Sequence, residues 1–393
     1  MKLFERVSLR NLELRNRLVI SPMCQYSAVD GFVNDYHVIN LGRFALGGFG
    51  LVMVEATGVV PEGRITHGDL GLWSDDHIPG LARIVTALKS AGAAAAIQLA
   101  HAGPKASMQR PWYGNGPLGE ADFVRGDLPW KVVAASAQPA GEGWLMPEAL
   151  TLDGIRDVKA AFLSAARRAL AAGFDVIELH CAHGYLLNSF LSPLTNKRND
   201  QYGGNLDGRM RLPLEIAQDL RDFWPQDKPF FVRVSAVDGI RTGTTPDDTV
   251  EFARRLKAIG VDIVDCSSGG TGNGYEYPVG YGYQVPYASR VRNEAGVASM
   301  AVGLIVDPHQ AQAIVADGHA DLVAIGREAL YNPNWALHAE AQLEAREPSA
   351  PFDSWPIQSN WWLAGRAKEV EKYGKPTTDT PHIVDEALVD LEK

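Results

Sequence analysis

The segment "TLDGIRDVKAAFLSAARRALAAGFDVIELH", residues 151–180, contains the helix–strand unit that decides the fold. Four apolar residues recur at helical spacing and form one stripe: Ile155, Val158, Phe162 and Ala166. Thr151 or Asp153 is suited to cap the start of this helix, and Gly173 to close its end. The continuous apolar run that follows, 174–180, is typical of a parallel strand buried on both faces. The segment therefore predicts an amphipathic helix that leads into a core strand.

The same kind of apolar run occurs eight times along the chain, and helical patterns fill the gaps. The predicted strands are 17–21, 51–56, 93–100, 174–180, 230–235, 262–268, 297–303 and 321–326. Eight strand–helix units in one chain predict an α/β fold of the (β/α)8 TIM-barrel type. A doubly wound open sheet is the alternative, but no G-x-G-x-x-G phosphate turn follows the first strand.

Two segments depart from the repeat. Residues 101–150 are rich in Gly, Pro and Trp, lack a helical period and follow the third strand. We therefore expect them to form a lid over the mouth of the barrel. Residues 346–393 continue beyond the eighth unit as a C-terminal tail, so the predicted barrel domain comprises residues 1–345.

Composition and charge exclude several classes of function. The chain has 393 residues, 46% of them hydrophobic, and a net charge of −10, which argues against a nucleic-acid or anionic-membrane partner. Three cysteines without a C-x-x-C pattern argue against a disulfide framework, a zinc ribbon or an iron–sulfur cluster. The start of the chain has no signal-peptide pattern, and no apolar stretch approaches the roughly 20 residues of a membrane span. We expect a cytoplasmic protein.

In a TIM barrel the reactive groups stand at the carboxyl ends of the strands, where the loops converge. This rule places eight side chains around one mouth: Cys24, Tyr26, Gln98, His101, His180, His183, Tyr185 and Arg233. Gly303 after strand seven, and Gly326 and Arg327 after strand eight, match the usual phosphate site of such barrels. The alternative is that Gly326 merely turns the chain and that Arg327 is a surface residue.

Arg233 lies within the otherwise apolar strand "FFVRVS" and needs a partner for its charge. One possibility is a salt bridge to Glu178 or Asp265 on neighbouring strands. The other is an anion that is present only transiently, such as a reduced isoalloxazine ring. Gln98 is also suited to contact the pyrimidine edge of such a ring.

The segment "HCAHGY", 180–185, places two histidines three residues apart at a strand end. It is compatible with a metal site, with packed core histidines, or with a pair of hydrogen-bond donors. A metal site needs a third and a fourth ligand, which neither Cys181 nor Asn188 obviously supplies.

Six motifs in register resemble the old yellow enzyme family of FMN-dependent ene-reductases. They are "SPMCQYSA" (21–28), "EATGV" (55–59), "IQLAHAG" (97–103), "ELHCAHGYLLNSFLSPLTNKRNDQYGG" (178–204), "GYQVPYASRVR" (282–292) and "AIGREAL" (324–330). The likeness extends over residues 2 to about 340, and the cysteine after strand one is similar to that of the thermophilic-like branch, which includes xenobiotic reductases. The resemblance implies non-covalent FMN, NADPH or NADH as hydride donor, and a homodimer or homotetramer.

The resemblance also implies a role for each site residue. The flavin ring is expected against Ser21, Pro22, Met23, Cys24, Ala56, Gln98 and Arg233, with Cys24 tuning its potential, and the phosphate against Gly303, Gly326 and Arg327. His180 and His183 are expected to bind the carbonyl or nitro oxygen of an activated alkene, Tyr26 to contact the substrate, and Tyr185 to deliver a proton. The expected reaction is hydride transfer from flavin N5 to the β-carbon, followed by protonation of the α-carbon.

The sequence departs from the family in the strand-three loop and in the tail. Pro104 stands where many relatives have arginine, which leaves the placement of His101 and Lys105 open. Trp361, Trp362 or Arg366 of the tail is a candidate to enter the site of a neighbouring subunit.

Two rival functions remain at this point. A sugar-phosphate aldolase or isomerase would need a barrel lysine or a glutamate base; no predicted strand ends in lysine, but Glu55 and Glu178 lie within strands. A catalytically idle ligand-binding protein is disfavoured by the intact set of His180, His183 and Tyr185.

Overall fold

The computed structural model describes residues 2–272, 274–345 and 351–373. The chain divides into two compact units, Met1–Ala345 and Arg346–Lys393. In the second unit the described helix is Ile357–Tyr373, on which Trp361, Trp362 and Arg366 are exposed. The parts of the predicted tail at 346–350 and 374–393 lie outside the described residues.

Eight parallel strands close into a barrel in chain order. They are β1 (Leu18–Ile20), β2 (Leu51–Gly58), β3 (Ala94–Ala100), β4 (Val176–Cys181), β5 (Phe230–Ser235), β6 (Ile263–Ser267), β7 (Ala298–Ala301) and β8 (Leu322–Ile325). Strand β1 pairs with β2 on one side and with β8 on the other, which completes the ring. The TIM barrel and all eight predicted strands are confirmed, and the open-sheet alternative is wrong.

The helices that follow the strands pack on the outside of the barrel. They are α1 (Asp35–Leu46), α2 (Ile78–Ser90), α3 (Leu152–Ala171), α4 (Leu206–Phe223), α5 (Pro246–Ile259), α6 (Val285–Arg290), α7 (Pro308–Ala316) and α8 (Trp335–Gln342). In α3 the predicted apolar stripe is buried, and the Thr151 hydroxyl accepts the Gly154 N–H as its N-cap. The cap is therefore Thr151 rather than Asp153. None of the helices in the described residues is long and apolar enough to cross a membrane.

The inside of the barrel changes from apolar to polar along the strands. Its lower part is a sealed cluster that includes Met53, Ala96, Val176, Phe231 and Ile263. Because alternate residues of a strand face the same side, the residues two positions later also face inward. These are Glu55, Gln98, Glu178, Arg233 and Asp265, all buried. The amino-terminal hairpin of Val7–Leu9 and Leu12–Leu14 packs against the apolar cluster and closes this end.

Part of the segment 101–150, the predicted lid, packs against side chains that follow β1, β2 and β4. The segment contains the short helix Glu120–Val124 and a parallel pair of two-residue strands, Val133–Ala134 and Glu148–Ala149. A small apolar cluster joins its residues Ala106, Met108 and Val132 to the barrel. Cys24, Tyr26 and Tyr185 pack against this cluster, so the lid contacts residues that were expected in the site.

Candidate active site

A cavity of about 310 Å³ opens at the carboxyl ends of the strands. Eight of the expected site residues line it: Ser21, Pro22, Met23, His183, Arg233, Gly303, Gly326 and Arg327. Its volume lies at the lower end of the range of ligand pockets. The residues come from β1, β4, β5, β7 and β8, so the barrel brings together side chains that are up to 306 positions apart, Ser21 to Arg327.

One end of the cavity has the chemistry of a phosphate site. Gly303 has φ +117°, and a Cβ at this position would lie 2.8 Å from Gln284 Oε1, so a side chain is excluded there. Arg327 lines the cavity and makes no ion pair within the described parts of the chain. The helix that Arg327 begins, Arg327–Tyr331, has only five residues. The guanidinium and the backbone N–H groups, rather than a helix dipole, are therefore what can bind an anion here.

Arg233 joins two walls of the barrel interior. Its Nη1 donates to Ser21 Oγ at 3.0 Å, and its Nε lies 3.2 Å from Asp265 Oδ2. The Nε contact is an ion pair without hydrogen-bond geometry, since neither atom has a hydrogen-bond partner among the described residues. Of the two acids considered from the sequence, Asp265 is therefore the ion-pair partner. The salt bridge does not exclude an anion above Arg233, since the same side chain also lines the cavity.

The second acid, Glu178, is bound to Gln98, whose Nε2 donates to Glu178 Oε1 at 2.8 Å. Burial raises the pKa of Glu178 to about 8; the charge of Asp265 adds to the rise and Arg233 opposes it. One guanidinium cannot neutralise two buried carboxylates, so the proton stays on Glu178 at neutral pH. The other oxygen, Oε2, has no hydrogen-bond partner in the structure.

The two histidines form a hydrogen-bonded chain. The Ala182 N–H donates to His180 Nδ1 at 3.2 Å, which leaves the proton of a neutral ring on Nε2. His180 Nε2 lies 3.4 Å from His183 Nδ1, and His183 Nε2 lies 2.7 Å from Ser267 Oγ. Burial, and then the charge of Arg233, lower the pKa of both imidazoles well below the usual range. Both rings are therefore neutral donors at physiological pH.

The surroundings of the two histidines bear on the three alternatives: a metal site, core packing or a pair of hydrogen-bond donors. His183 lines the cavity, so the pair is not purely core packing. Within residues 2–272, 274–345 and 351–373, no group of three or more His, Cys, Asp or Glu side chains is arranged to hold a metal ion. A donor pair is the arrangement that the geometry supports.

Tyr185 and Cys24 lie close to the pair and keep their protons. The Tyr185 ring centroid is 5.1 Å from that of His180 and 6.4 Å from that of His183. Burial, followed by the charges of Cys24 and Asp69, raises the pKa of the Tyr185 phenol well above its usual value. Burial, followed by Asp69 and Glu55, does the same for the Cys24 thiol. Burial also raises the pKa of Tyr26, whose ring meets Trp112 of the lid edge-on at 6.1 Å.

One expected residue lies elsewhere, and several others were missed. His101 does not line the cavity; it is buried beside Gly63, accepts the Gly103 N–H on Nδ1, and burial lowers its pKa to about 4. Ten residues of the cavity wall were not predicted, among them the polar residues Ser267, Ser268, Tyr283, Gln284 and Glu328. The two serines stand at the carboxyl end of β6, so the rule that located the other residues would have found them. Six further expected residues do not line this cavity: Cys24, Tyr26, Ala56, Gln98, His180 and Tyr185.

Comparisons with known proteins agree with this geometry. The model of the NADH:flavin oxidoreductase / NADH oxidase family matches residues 2–346. The chain is 45% identical over 345 residues to a protein named NADPH dehydrogenase from Geobacillus thermodenitrificans, covering 87% of this chain and 94% of the relative. An NADPH dehydrogenase from Listeria monocytogenes is 44% identical over 344 residues, covering 87% of this chain and 95% of the relative.

Among solved structures, morphinone reductase superposes with a TM-score of 0.73 at 26% identity, covering 90% of this chain and 96% of that one. The old yellow enzyme homologue from Zymomonas mobilis shares the fold, with a TM-score of 0.71 at 24% identity over 90% and 96% of the two chains.

Proposed function

Because the chain belongs to the NADH:flavin oxidoreductase / NADH oxidase family and is an FMN-dependent NAD(P)H oxidoreductase of the old yellow enzyme type, we propose that it reduces the C=C bond of α,β-unsaturated carbonyl and nitro compounds. The observation that carries this proposal is a pair of neutral histidines, of which His183 lines the cavity and His180 contacts it, with the protonated Tyr185 beside His180. These groups are suited to stabilise an oxyanion and to supply a proton.

The residues of the cavity fit FMN. We assign the ring to Ser21, Pro22, Met23 and Arg233, which line the cavity, together with Cys24, Ala56 and Gln98, which lie outside its lining. We assign the phosphate to Gly303, Gly326 and Arg327, which line the cavity as well. Held by these residues, FMN would supply hydride transfer between NADPH or NADH and the β-carbon of the substrate. Arg233 supplies a positive charge for a ring that gains negative charge on reduction, and Arg327, which has no ion-pair partner in the described chain, supplies one for the phosphate.

His180 and His183 would bind the carbonyl or nitro oxygen of the substrate. Hydride addition at the β-carbon leaves negative charge on this oxygen, and hydrogen bonds donated by the two imidazoles would stabilise that charge. The low pKa of both rings matters here, because a neutral imidazole donates a hydrogen bond without transferring its proton. In the structure the His183 Nε2 is bound to Ser267 Oγ, so a substrate oxygen would compete with this serine for the donor.

Tyr185 would protonate the α-carbon. Its phenol is held at the edge of His180 and keeps its proton because burial raises its pKa. A general acid of this kind acts only while it carries the proton to be delivered. Tyr26, which packs against the same small cluster as Tyr185, is placed to contact the body of the substrate.

An isotope experiment tests the proposal. The enzyme is reduced anaerobically with NADPH that carries deuterium at the transferable position, and is then mixed with 2-cyclohexen-1-one in H2O. We expect rapid reoxidation and a saturated ketone with deuterium on the β-carbon. The converse experiment, with unlabelled NADPH in D2O, should place deuterium on the α-carbon. An enzyme that oxidises NADPH and reacts with oxygen but leaves enones and nitroalkenes untouched would overturn the proposal.

A further inference from the structure

Lys105 connects two loops of the candidate active site. It ends the short turn Gly103–Lys105 that follows β3, and its Nζ donates to the carbonyl oxygen of His183 at 2.9 Å. The same Nζ donates to the carbonyl oxygen of Gly270, in the loop after β6. One ammonium group thus joins loops that follow three different strands.

The loops after β4 and β6 touch through their backbones at this point. A Cβ on Gly184 would collide with the Gly270 carbonyl oxygen, and a Cβ on Gly270 would collide with the His183 main chain. A side chain at Gly184 or Gly270 would therefore prevent this contact, so neither position can supply a side-chain bond between the loops. The contact also brings the carbonyl oxygens of His183 and Gly270 towards one another. The cationic Lys105 Nζ donates to both and offsets their repulsion.

The backbone of His183 is held on both sides. Its φ of +64° lies in the left-handed region, which residues other than glycine occupy at a cost. The His183 N–H donates to Ser235 Oγ at 2.9 Å, and the Ser235 hydroxyl donates in turn to Gly269 O at 2.7 Å. The His183 C=O accepts from Lys105. These two bonds fix the peptide units on either side of the histidine and so set the direction of its imidazole.

The turn that carries Lys105 is itself anchored to the loop after β4. The Leu186 N–H donates to His101 O at 3.0 Å. Gly103 has φ +56°, and a Cβ there would lie 2.7 Å from Leu186 N. The turn that carries the Lys105 ammonium group is therefore fixed in position. It makes no salt bridge among the described residues, so its charge remains directed at the two carbonyl groups.

We propose that Lys105 is a positioning residue for His183, which it holds in the conformation that presents the imidazole to the oxygen of the substrate. This inference rests on the proposed function, since it assumes that His183 binds that oxygen. It assigns to Lys105 no contact with the substrate or the flavin.

A double-mutant cycle tests this inference on the FMN-loaded enzyme. The variants are Lys105→Met, which keeps the stem but removes the donor, His183→Ala, and the combination of both. Phenol is titrated into the oxidised enzyme and followed by the visible absorbance of the flavin. In the parent background Lys105→Met should weaken phenol binding about tenfold, because His183 is then no longer held in the conformation that binds the ligand. In the His183→Ala background the same change should have less than about a twofold effect, because the residue that Lys105 positions is gone.

A matched control is Lys197→Met. Lys197 also donates to a backbone carbonyl, Pro193 O, but within its own exposed turn, so phenol affinity should stay at the parent value. The FMN content and melting temperature of each variant show whether the fold is intact. Equal loss of phenol affinity from Lys105→Met in both backgrounds, or no loss in the parent, would overturn the positioning role. If His183→Ala alone leaves phenol binding unchanged, the proposed role of the histidine fails instead.

Discussion

Arg233 and Asp265 stand opposite one another on β5 and β6, with Nε 3.2 Å from Oδ2, and both side chains are buried. The cation at the cavity wall therefore has a carboxyl group beside it on the neighbouring strand. A second acid, Glu178, lies close enough to be influenced by both charges. If a flavin were bound at Arg233, its reduction would add negative charge beside a guanidinium whose positive charge Asp265 already partly offsets.

Arg233→Met should lower the reduction potential of bound FMN or weaken its binding, because the reduced ring loses its cationic neighbour. It should also destabilise the fold by about 3 to 5 kcal/mol, because Asp265 is left buried without a partner. The double variant Arg233→Met/Asp265→Asn separates the two effects. It should recover stability but not the potential, as measured by thermal unfolding and by redox titration. An unchanged potential at full FMN occupancy in Arg233→Met would remove Arg233 from the ring.

Glu178→Gln should alter the pH dependence of stability. The pKa of Glu178 is raised to about 8 in the folded protein, whereas an unfolded glutamate titrates near 4.3. Between these values the folded state binds more protons, so the free energy of unfolding should fall as the pH rises from about 4.3 to about 8. The amide keeps the acceptor for Gln98 and cannot ionise. In the variant the free energy of unfolding should therefore fall less over this pH range. Urea denaturation across this range measures it, with exposed Glu142→Gln as the control. A parallel decline in parent and variant would contradict a protonated Glu178.

His180→Ala and His183→Ala should each weaken binding of phenol and enones and slow reoxidation of the reduced enzyme. Loss of one donor to a developing oxyanion costs on the order of 10² to 10³ in rate, or roughly 3 to 4 kcal/mol. Reduction by NADPH should be less affected. Stopped-flow measurement of both half-reactions provides the comparison, and the exposed His319→Ala serves as control. Parent-like reoxidation in both variants would make the 180–185 loop structural.

Tyr185→Phe should act at a different stage. The ring and its packing remain, so phenol affinity should change little, while reduction of 2-cyclohexen-1-one should slow by about 10²-fold through loss of the general acid. A substrate whose α-carbon is protonated by solvent should be less sensitive. Tyr331→Phe, on an exposed phenol, controls for the loss of a hydroxyl group. An unchanged single-turnover rate with enones would assign the proton to another donor.

Cys24→Ala should keep FMN and turnover but shift the reduction potential. The pKa of this thiol is raised by burial and by Asp69 and Glu55, so it is a neutral neighbour rather than a thiolate nucleophile. Removing this partly buried sulfur atom should cost at most about 1 kcal/mol of stability. Redox titration and steady-state turnover measure the two outcomes. Abolished turnover with FMN still bound would point to a direct chemical role.

Much of the fold and of the site could be predicted from the sequence. Each barrel strand is a short apolar run, the longer outer helices such as α3 have a 3.6-residue period, and both patterns are local. The rule that loops converge at the carboxyl ends then located Arg233, His183, Gly303 and Arg327 at one mouth without any knowledge of distances. The same rule did not show which side chains at the strand ends reach the cavity: His101 is buried beside Gly63 and does not line it.

What the tertiary structure decided depends on contacts between residues far apart in the chain. The sequence left Glu178 and Asp265 as equal candidates to pair with Arg233; the barrel register places Asp265 opposite it and leaves Glu178 with Gln98. The neutral state of the histidine pair, the protonated state of Glu178 and the bridge from Lys105 to His183 were likewise not predictable. A pKa and a hydrogen bond follow from burial and from distances of a few ångströms, and the closed barrel sets both only when all eight strands are in place.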